Sequence, residues 1–279
     1  MWGGLGSQLC AWAYAEQIKQ SGFQRRTSLV FHASGITERQ CELDFLKSQF
    51  KIIQVHDFRI NSSNHMESNP QSFCTSARTL ALKYLKLLKF ILYSSQERIY
   101  PWSIMIRNHY TKIQLDYEVA RSMVRSLFEH RILKNIQQFS TNKALVHFRL
   151  GDLLNIESKP PISELRMSAV IDTVLGNEPN KEIHLSSDSI ELAQHRLLAV
   201  RPKLKIVPSN VTPWELIQSS LGISTFIGSN SKLSVWIVIL RSVVINKNQQ
   251  TNYLPDELRP FIQLLCNQNL VDGMSIRFY

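Results

Sequence analysis

Along this chain, stretches whose apolar residues recur at a helical period alternate with short runs of consecutive aliphatic residues. From residue 144 onward the alternation is regular. Ala144-Leu-Val-His-Phe148, Glu182-Ile-His-Leu-Ser186, Leu204-Lys-Ile-Val207, Thr225-Phe-Ile227 and Val243-Val-Ile245 read as strands. Between them, Leu165 to Leu175, Ile190 to Val200, Pro213 to Leu221 and Lys232 to Leu240 read as helices. Strand and helix in strict turn imply parallel strands joined by helical crossovers, and so a doubly wound α/β sheet.

The first half carries the same pattern less regularly. Ala11 to Gln20 reads as a helix closed by Gly22, Ser28 to Phe31 as a strand, Glu38 to Gln49 as a helix, and Lys51 to Val55 as a strand. Asn61 to Ser76, rich in Asn, Ser and Pro, reads as a loop. Ala77 to Tyr93 reads as a helix carrying Lys83, Lys86 and Lys89, and Asp116 to Phe139 as a second long one. The polar Ser140-Thr-Asn142 is a natural hinge. The expected organisation is an N-terminal lobe over 1–139, a second lobe over 140–246, and a segment over 247–279 in which Pro255 to Cys266, a final helix and loop, packs back on the body.

Composition narrows the partners. Hydrophobic residues make up 44% of the 279, enough for a substantial core, and no window has the length and apolarity of a spanning helix. Cys10, Cys41, Cys74 and Cys266 are scattered, with no CxxC pair to hold zinc, and the opening MWGGLG lacks the basic and apolar regions of a secretory signal. A cytoplasmic protein is expected, with peripheral placement on the inner face of a membrane open to it. The net charge of +10 points to an anionic partner. The basic residues are dispersed, with no run longer than Arg25-Arg26, so nucleic acid is not the expected one.

In open α/β sheets ligands bind beyond the carboxyl ends of the strands, so the polar residues following each apolar run are candidates. After the first strong strand come His147-Phe-Arg149-Leu-Gly151-Asp152. Alternation sets His147 and Arg149 on one face, Gly151 permits close backbone approach, and an arginine fork suits phosphate oxygens. After the second come Ser186-Ser187-Asp188-Ser189, able to cap a helix or to bind a ribose or base. Gly228-Ser-Asn230-Ser231-Lys-Leu-Ser234 opens a helix, where free N–H groups attract anions. The fourth cluster, Gly3-Gly4-Leu-Gly6-Ser7-Gln8, has the G-x-G of a dinucleotide turn, but Leu9 stands where the third glycine belongs. It reads as a glycine turn leading into a helix.

In this order the four clusters, GGLGSQ (3–8), HFRLGD (147–152), LSSD (185–188) and NSKLSVW (230–236), resemble the motifs of glycosyltransferase family 11, the α-1,2-fucosyltransferases. The resemblance spans nearly the whole chain. It implies a GT-B-like fold of two Rossmann-like lobes, the N-terminal one on the acceptor side and the 140–246 lobe binding the donor. It also implies inverting transfer of L-fucose from GDP-β-L-fucose to the 2-hydroxyl of a galactose, without a cofactor or an obligatory metal. The acceptor would be a galactose-containing glycan, lipid-linked acceptors of surface polysaccharide assembly included.

By matching positions, Arg149 with Gly151 would hold the donor diphosphate, and Asn230, Ser231 and Ser234 would line the same region. Ser187 and Asp188 would read the nucleoside, and Gly4, Gly6, Ser7 and Gln8 would shape the cleft. Inversion needs a base for the acceptor proton, for which Asp152 and His147 are the candidates. Four positions depart from the family pattern: Leu150 replaces its second arginine, Ser7 an asparagine, Ser189 an aspartate and Val235 a tryptophan. A transferase using another GDP-sugar, or a member that binds nucleotide or glycan without transfer, stays open as the alternative. The family places a strand ahead of its first motif, so a missing first strand, and a chain truncated at Met1, are expected.

Overall fold

A computed structural model describes residues 4–20, 27–32, 40–55, 114–136, 138–155 and 160–279. The expected loop over 61–76 and the lysine-bearing helix over 77–93 lie outside them. The described elements begin with α1 (Leu5–Gln20), β1 (Ser28–His32), a 3-10 turn (Asp44–Ser48), β2 (Lys51–Val55) and α2 (Tyr117–Glu129). Then follow β3 (Ser140–His147), α3 (Glu164–Asn177), β4 (Glu182–Ser186), α4 (Ile190–Val200), β5 (Ile206–Ser209), α5 (Pro213–Leu221), β6 (Ile223–Ile227) and α6 (Lys232–Val244). The chain ends with β7 (Thr251–Leu254), α7 (Arg259–Leu265), α8 (Gln268–Gly273) and β8 (Ile276–Phe278).

The main sheet has six strands in the order β5-β4-β3-β6-β7-β8, all parallel. Counted from β3, that is the 3-2-1-4-5-6 order of a Rossmann-like sheet, in which the winding reverses between the first and fourth strands, here β3 and β6. The fold is therefore α/β with a parallel sheet, as the alternation predicts. Strands β1 and β2 form a separate parallel pair.

Side-chain alternation sorts the core into two layers. Leu145, Phe226 and Leu254 face one layer with α1, α2, α5 and α6, while Ala144, Val146, Ile227 and Tyr253 face the other with α3 and α4. Helix α6 is apolar almost all round, and every residue from Leu233 to Arg241 is buried, as befits a helix enclosed by α1, α2 and the sheet. Trp12 and Trp236 are fully buried in this layer, each worth roughly 1.5–3 kcal/mol in transfer free energy.

Local signals set the helix starts. Asp116 accepts the Val119 N–H at 2.8 Å to open α2, Ser163 accepts the Arg166 N–H at 3.3 Å to open α3, and Thr212 and Glu215 form a reciprocal capping box on α5 behind Pro213.

Several sequence expectations need correction. Among the described residues of the opening motif, Gly4 is a bend and α1 begins at Leu5, with Gly6 in its first turn rather than in a turn ahead of the helix. A Cβ on Gly6 would lie 2.6 Å from the Leu233 amide nitrogen, so the glycine serves close contact between α1 and α6. Val243-Val-Ile245 is the end of α6 and its cap rather than a strand, because β7 takes the place beside β6. The residues read as a hinge, 140–142, open β3. The helix begun after Asp116 stops at Glu129, and Arg131 takes a positive φ of 58° as the chain turns towards the sheet. Of the residues read as a helix over 38–49, the described ones, 40–49, hold only the 3-10 turn. The segment after 246 supplies β7 and β8 as well as the expected helix.

Candidate functional site

Strand register brings three of the four motifs together. His147 lies opposite Ser186, and Val146 lies opposite both Leu185 and Ile227. The strands therefore end level, a few ångströms apart, and the loops starting at Phe148, Ser187 and Gly228 emerge side by side at the switch point. The Phe148 N–H still donates to the Ser186 carbonyl at 2.9 Å, and the Gly228 N–H to the Tyr253 carbonyl at 2.8 Å.

Beyond the strands, side chains knit the loops. The Arg149 N–H donates to Ser229 Oγ at 3.1 Å. Asp188 reaches back from β4, accepting the Leu150 N–H at 3.0 Å with Oδ1 and facing Arg149 Nε at 3.7 Å with Oδ2. Gly151 is what lets it do so, because a Cβ there would stand 2.7 Å from the Asp188 Cγ. Sequence reasoning takes Gly151 as room for a phosphate; in the fold the room admits a carboxylate. Leu150 is fully buried on the α3 and α4 side of the sheet.

His147 and Ser234 tie β3 to α6, with Nδ1 2.9 Å from Oγ and both side chains buried. Burial, and then the neighbouring Arg149 cation, hold the imidazole down to about 3, so it is neutral at physiological pH. Ser231 accepts the Leu233 N–H at 3.2 Å as the N-cap of α6, and Ser187 accepts the Ser189 N–H at 3.1 Å at the start of α4. The 3-10 turn Gly151–Asn155 carries Asp152, whose side chain lies outside the description.

The first motif joins from the other end of the sequence. Gly6 touches the backbone of Lys232 and Leu233, and Trp236 Nε1 donates to Cys10 Sγ at 3.2 Å, so α1 and α6 run parallel with their amino ends together. Lys232 Nζ reaches Ser7 Oγ at 3.4 Å. Both helix dipoles thus present their positive ends on the side where Arg149 and Lys232 lie. Gln8 faces elsewhere: its amide donates to the Gln40 carbonyl at 2.9 Å and accepts the Glu42 N–H at 2.9 Å, bracing the 40–42 segment. Gly4 precedes α1, with open space around it.

Beside this cluster lies a cavity of about 460 Å³, which shares only Asn230 with the residues singled out from sequence. Its walls include Arg166, Lys232, Glu257 and Phe261. Sequence reasoning misses Arg166 and Glu257, because a charged residue in the first turn of a helix is ordinary and only the fold brings these two together. Among the described residues no group of three or more His, Cys, Asp and Glu could hold a metal ion, and no helix is long and apolar enough to cross a membrane.

These features define a Rossmann-like α/β sheet with a cationic, helix-fronted cluster at its switch point. The chain matches no protein-family model and no curated protein sequence.

Proposed function

We propose that this protein is an inverting glycosyltransferase of the two-lobed GT-B type, similar to family 11, which moves L-fucose from GDP-β-L-fucose to the 2-hydroxyl of a galactose. The observation that carries the reading is convergence: Gly6 and Ser7 of the first cluster and the clusters starting at residues 147, 185 and 230 meet around the amino end of α6 and the switch point of the sheet. A nucleoside diphosphate suits the positive ends of two helices and an arginine beside them.

In this reading Arg149, with Asn230 and Ser231, holds the diphosphate and stabilises the charge it gains as the bond to the anomeric carbon breaks. The acceptor oxygen attacks that carbon from the opposite face. Asp152 takes the hydroxyl proton, and GDP leaves. His147, neutral and bonded to Ser234, acts as a positioning residue that fixes α6 against β3. Acceptors would be galactose-containing glycans, and the net charge of +10 would favour approach to acidic membrane faces.

One observation favours a second reading, in which the chain binds nucleotide or glycan without transfer. Leu150, where the resembling family has its second arginine, points into the core, so the donor side has one cation fewer. The two readings separate by measuring GDP release with GDP-fucose and lactose, beside GDP-mannose, together with the thermal shift caused by GDP. Release with GDP-fucose supports transfer, and release with GDP-mannose alone moves the donor to another GDP-sugar. A thermal shift without release leaves the binding reading, and neither signal removes both.

A further inference from the structure

The cavity beside Asn230 has a composition unlike that of a phosphate site. Part of its lining is apolar, from Pro160, Pro161, Ile162, Leu258 and Phe261. The same lining carries an ion pair. Arg166 donates to both Glu257 oxygens, at 2.5 and 3.1 Å, and to the Tyr279 carbonyl at 2.5 Å. The guanidinium is thus neutralised, and a carboxylate faces the same space, which disfavours a second anion.

Asn230 also lines the cavity. It is only 9% exposed, and among the described residues its amide takes part in no hydrogen bond. The amide is not sealed from solvent, so it can exchange water for a ligand, and it offers donor and acceptor together. With Glu257 accepting and Lys232 donating, the polar lining can serve hydroxyl groups, which themselves both donate and accept. Phe261, whose ring has the Lys232 ammonium 5.9 Å over its centroid, and the two prolines supply apolar contacts for the C–H groups of a sugar ring. The volume of about 460 Å³ lies in the ordinary range for small-molecule sites.

We infer that this cavity is a subsite for a neutral pyranose, with Asn230, Glu257 and Lys232 as its polar contacts and Phe261 and Pro160–Pro161 as its apolar ones. It rests on the transferase reading only for the choice of sugar, which is either the acceptor galactose or the fucosyl unit of the donor. Asn230 is the shared wall, since it belongs both to this cavity and to the motif beside the diphosphate cluster. That places a sugar ring next to the phosphates without asking one pocket to suit both chemistries.

The test is to titrate the full chain separately with lactose, with methyl α-L-fucoside and with GDP, following the sugars by saturation-transfer NMR and GDP by calorimetry. One of the two sugars should bind, with affinity little changed by added salt, and its identity distinguishes acceptor from donor sugar. Phe261→Ala and Glu257→Gln should each weaken that sugar by about tenfold while leaving GDP affinity within about twofold. Glu257→Gln guards against loss of fold, because the pair it alters is half-exposed. Sugar binding without GDP binding upholds the subsite and removes the GDP-sugar reading. GDP binding with neither sugar detectable at concentrations on the order of 10 mM, or sugar binding indifferent to both substitutions, overturns the subsite.

Discussion

Helix α6 has a polar cluster at each end, and the two are built in opposite ways. At its carboxyl end Arg241 is completely buried, and its guanidinium donates to the Ser220, Ile223 and Ser224 carbonyls and, at 2.7 Å, to Asn252 Oδ1. Asn252 in turn donates to Gln250 Oε1 at 3.0 Å and to the Met274 carbonyl at 2.6 Å, and Gln250 donates to the Ile245 carbonyl at 3.0 Å. Every side-chain donor nitrogen there reaches a protein acceptor. At the amino end, Arg149, Asp188 and Ser229 hold one another across three loops, while the Asn230 amide faces a cavity. A polar cluster saturated by its own chain fixes the fold, and one with bonding capacity left over can fix a ligand.

The largest effect expected from this contrast is at Arg241. Burial pushes its pKa down to about 9, so it remains charged at physiological pH and depends on its carbonyl partners. Arg241→Met should leave those carbonyls and Asn252 without donors and destabilise the protein by about 3–5 kcal/mol. Urea denaturation would show it as a lower midpoint at an unchanged slope. A midpoint that stays in place would mean that the saturated cluster is dispensable and the contrast false.

His147 belongs to the open end yet is as buried as Arg241, so it sharpens the comparison through pH. Its folded pKa lies well below the unfolded value of about 6.5, so between the two the unfolded chain binds a proton that the native one refuses. Stability therefore falls as pH drops below about 6.5, until the native pKa is reached. At about pH 5 the loss from this group alone is about 2 kcal/mol, provided the native pKa is well below 5. His147→Asn keeps a group able to meet Ser234 and should remove that part of the acid sensitivity in denaturation curves at pH 7 and pH 5. An equal loss in both proteins would show that His147 titrates freely.

The parallel α/β character and the main strands of the sheet could be read from residues because each strand is a short apolar run flanked by a periodic helix. The meeting of motifs at strand ends follows from the same reading. Other features depend on tertiary facts that no local pattern carries. Gly6 has the sequence look of a turn, and only its contact with the Leu233 backbone explains why a helix tolerates a glycine there. Val243 and Val244 have strand propensity, but the enclosed helix α6 continues through them. Strands β7 and β8 span only four and three residues, too short to show a period. Arg241 did leave a trace, being the lone charge after eight apolar or small residues of a helix, and such a residue is worth reading as a buried hub. Arg166 and Glu257 left none, since their pairing joins the start of α3 to the loop after β7.

The smallest effect on stability is expected at Arg149, and this tests the open cluster most directly. The Arg149–Asp188 pair is partly exposed, with the two side chains 22% and 36% accessible, so solvent screens it and it contributes about 0–1 kcal/mol. Asp188 keeps its bond from the Leu150 amide when the guanidinium is gone, and Ser229 keeps the backbone N–H of residue 149. Arg149→Ala should therefore leave the urea midpoint almost where it was. If the guanidinium serves a diphosphate, the same variant should bind GDP at least tenfold more weakly, since a charge-assisted bond to phosphate is worth about 1.5–3 kcal/mol. The opposite pattern, a large fall in stability with GDP affinity intact, would make the amino end of α6 a second structural staple like the one at Arg241.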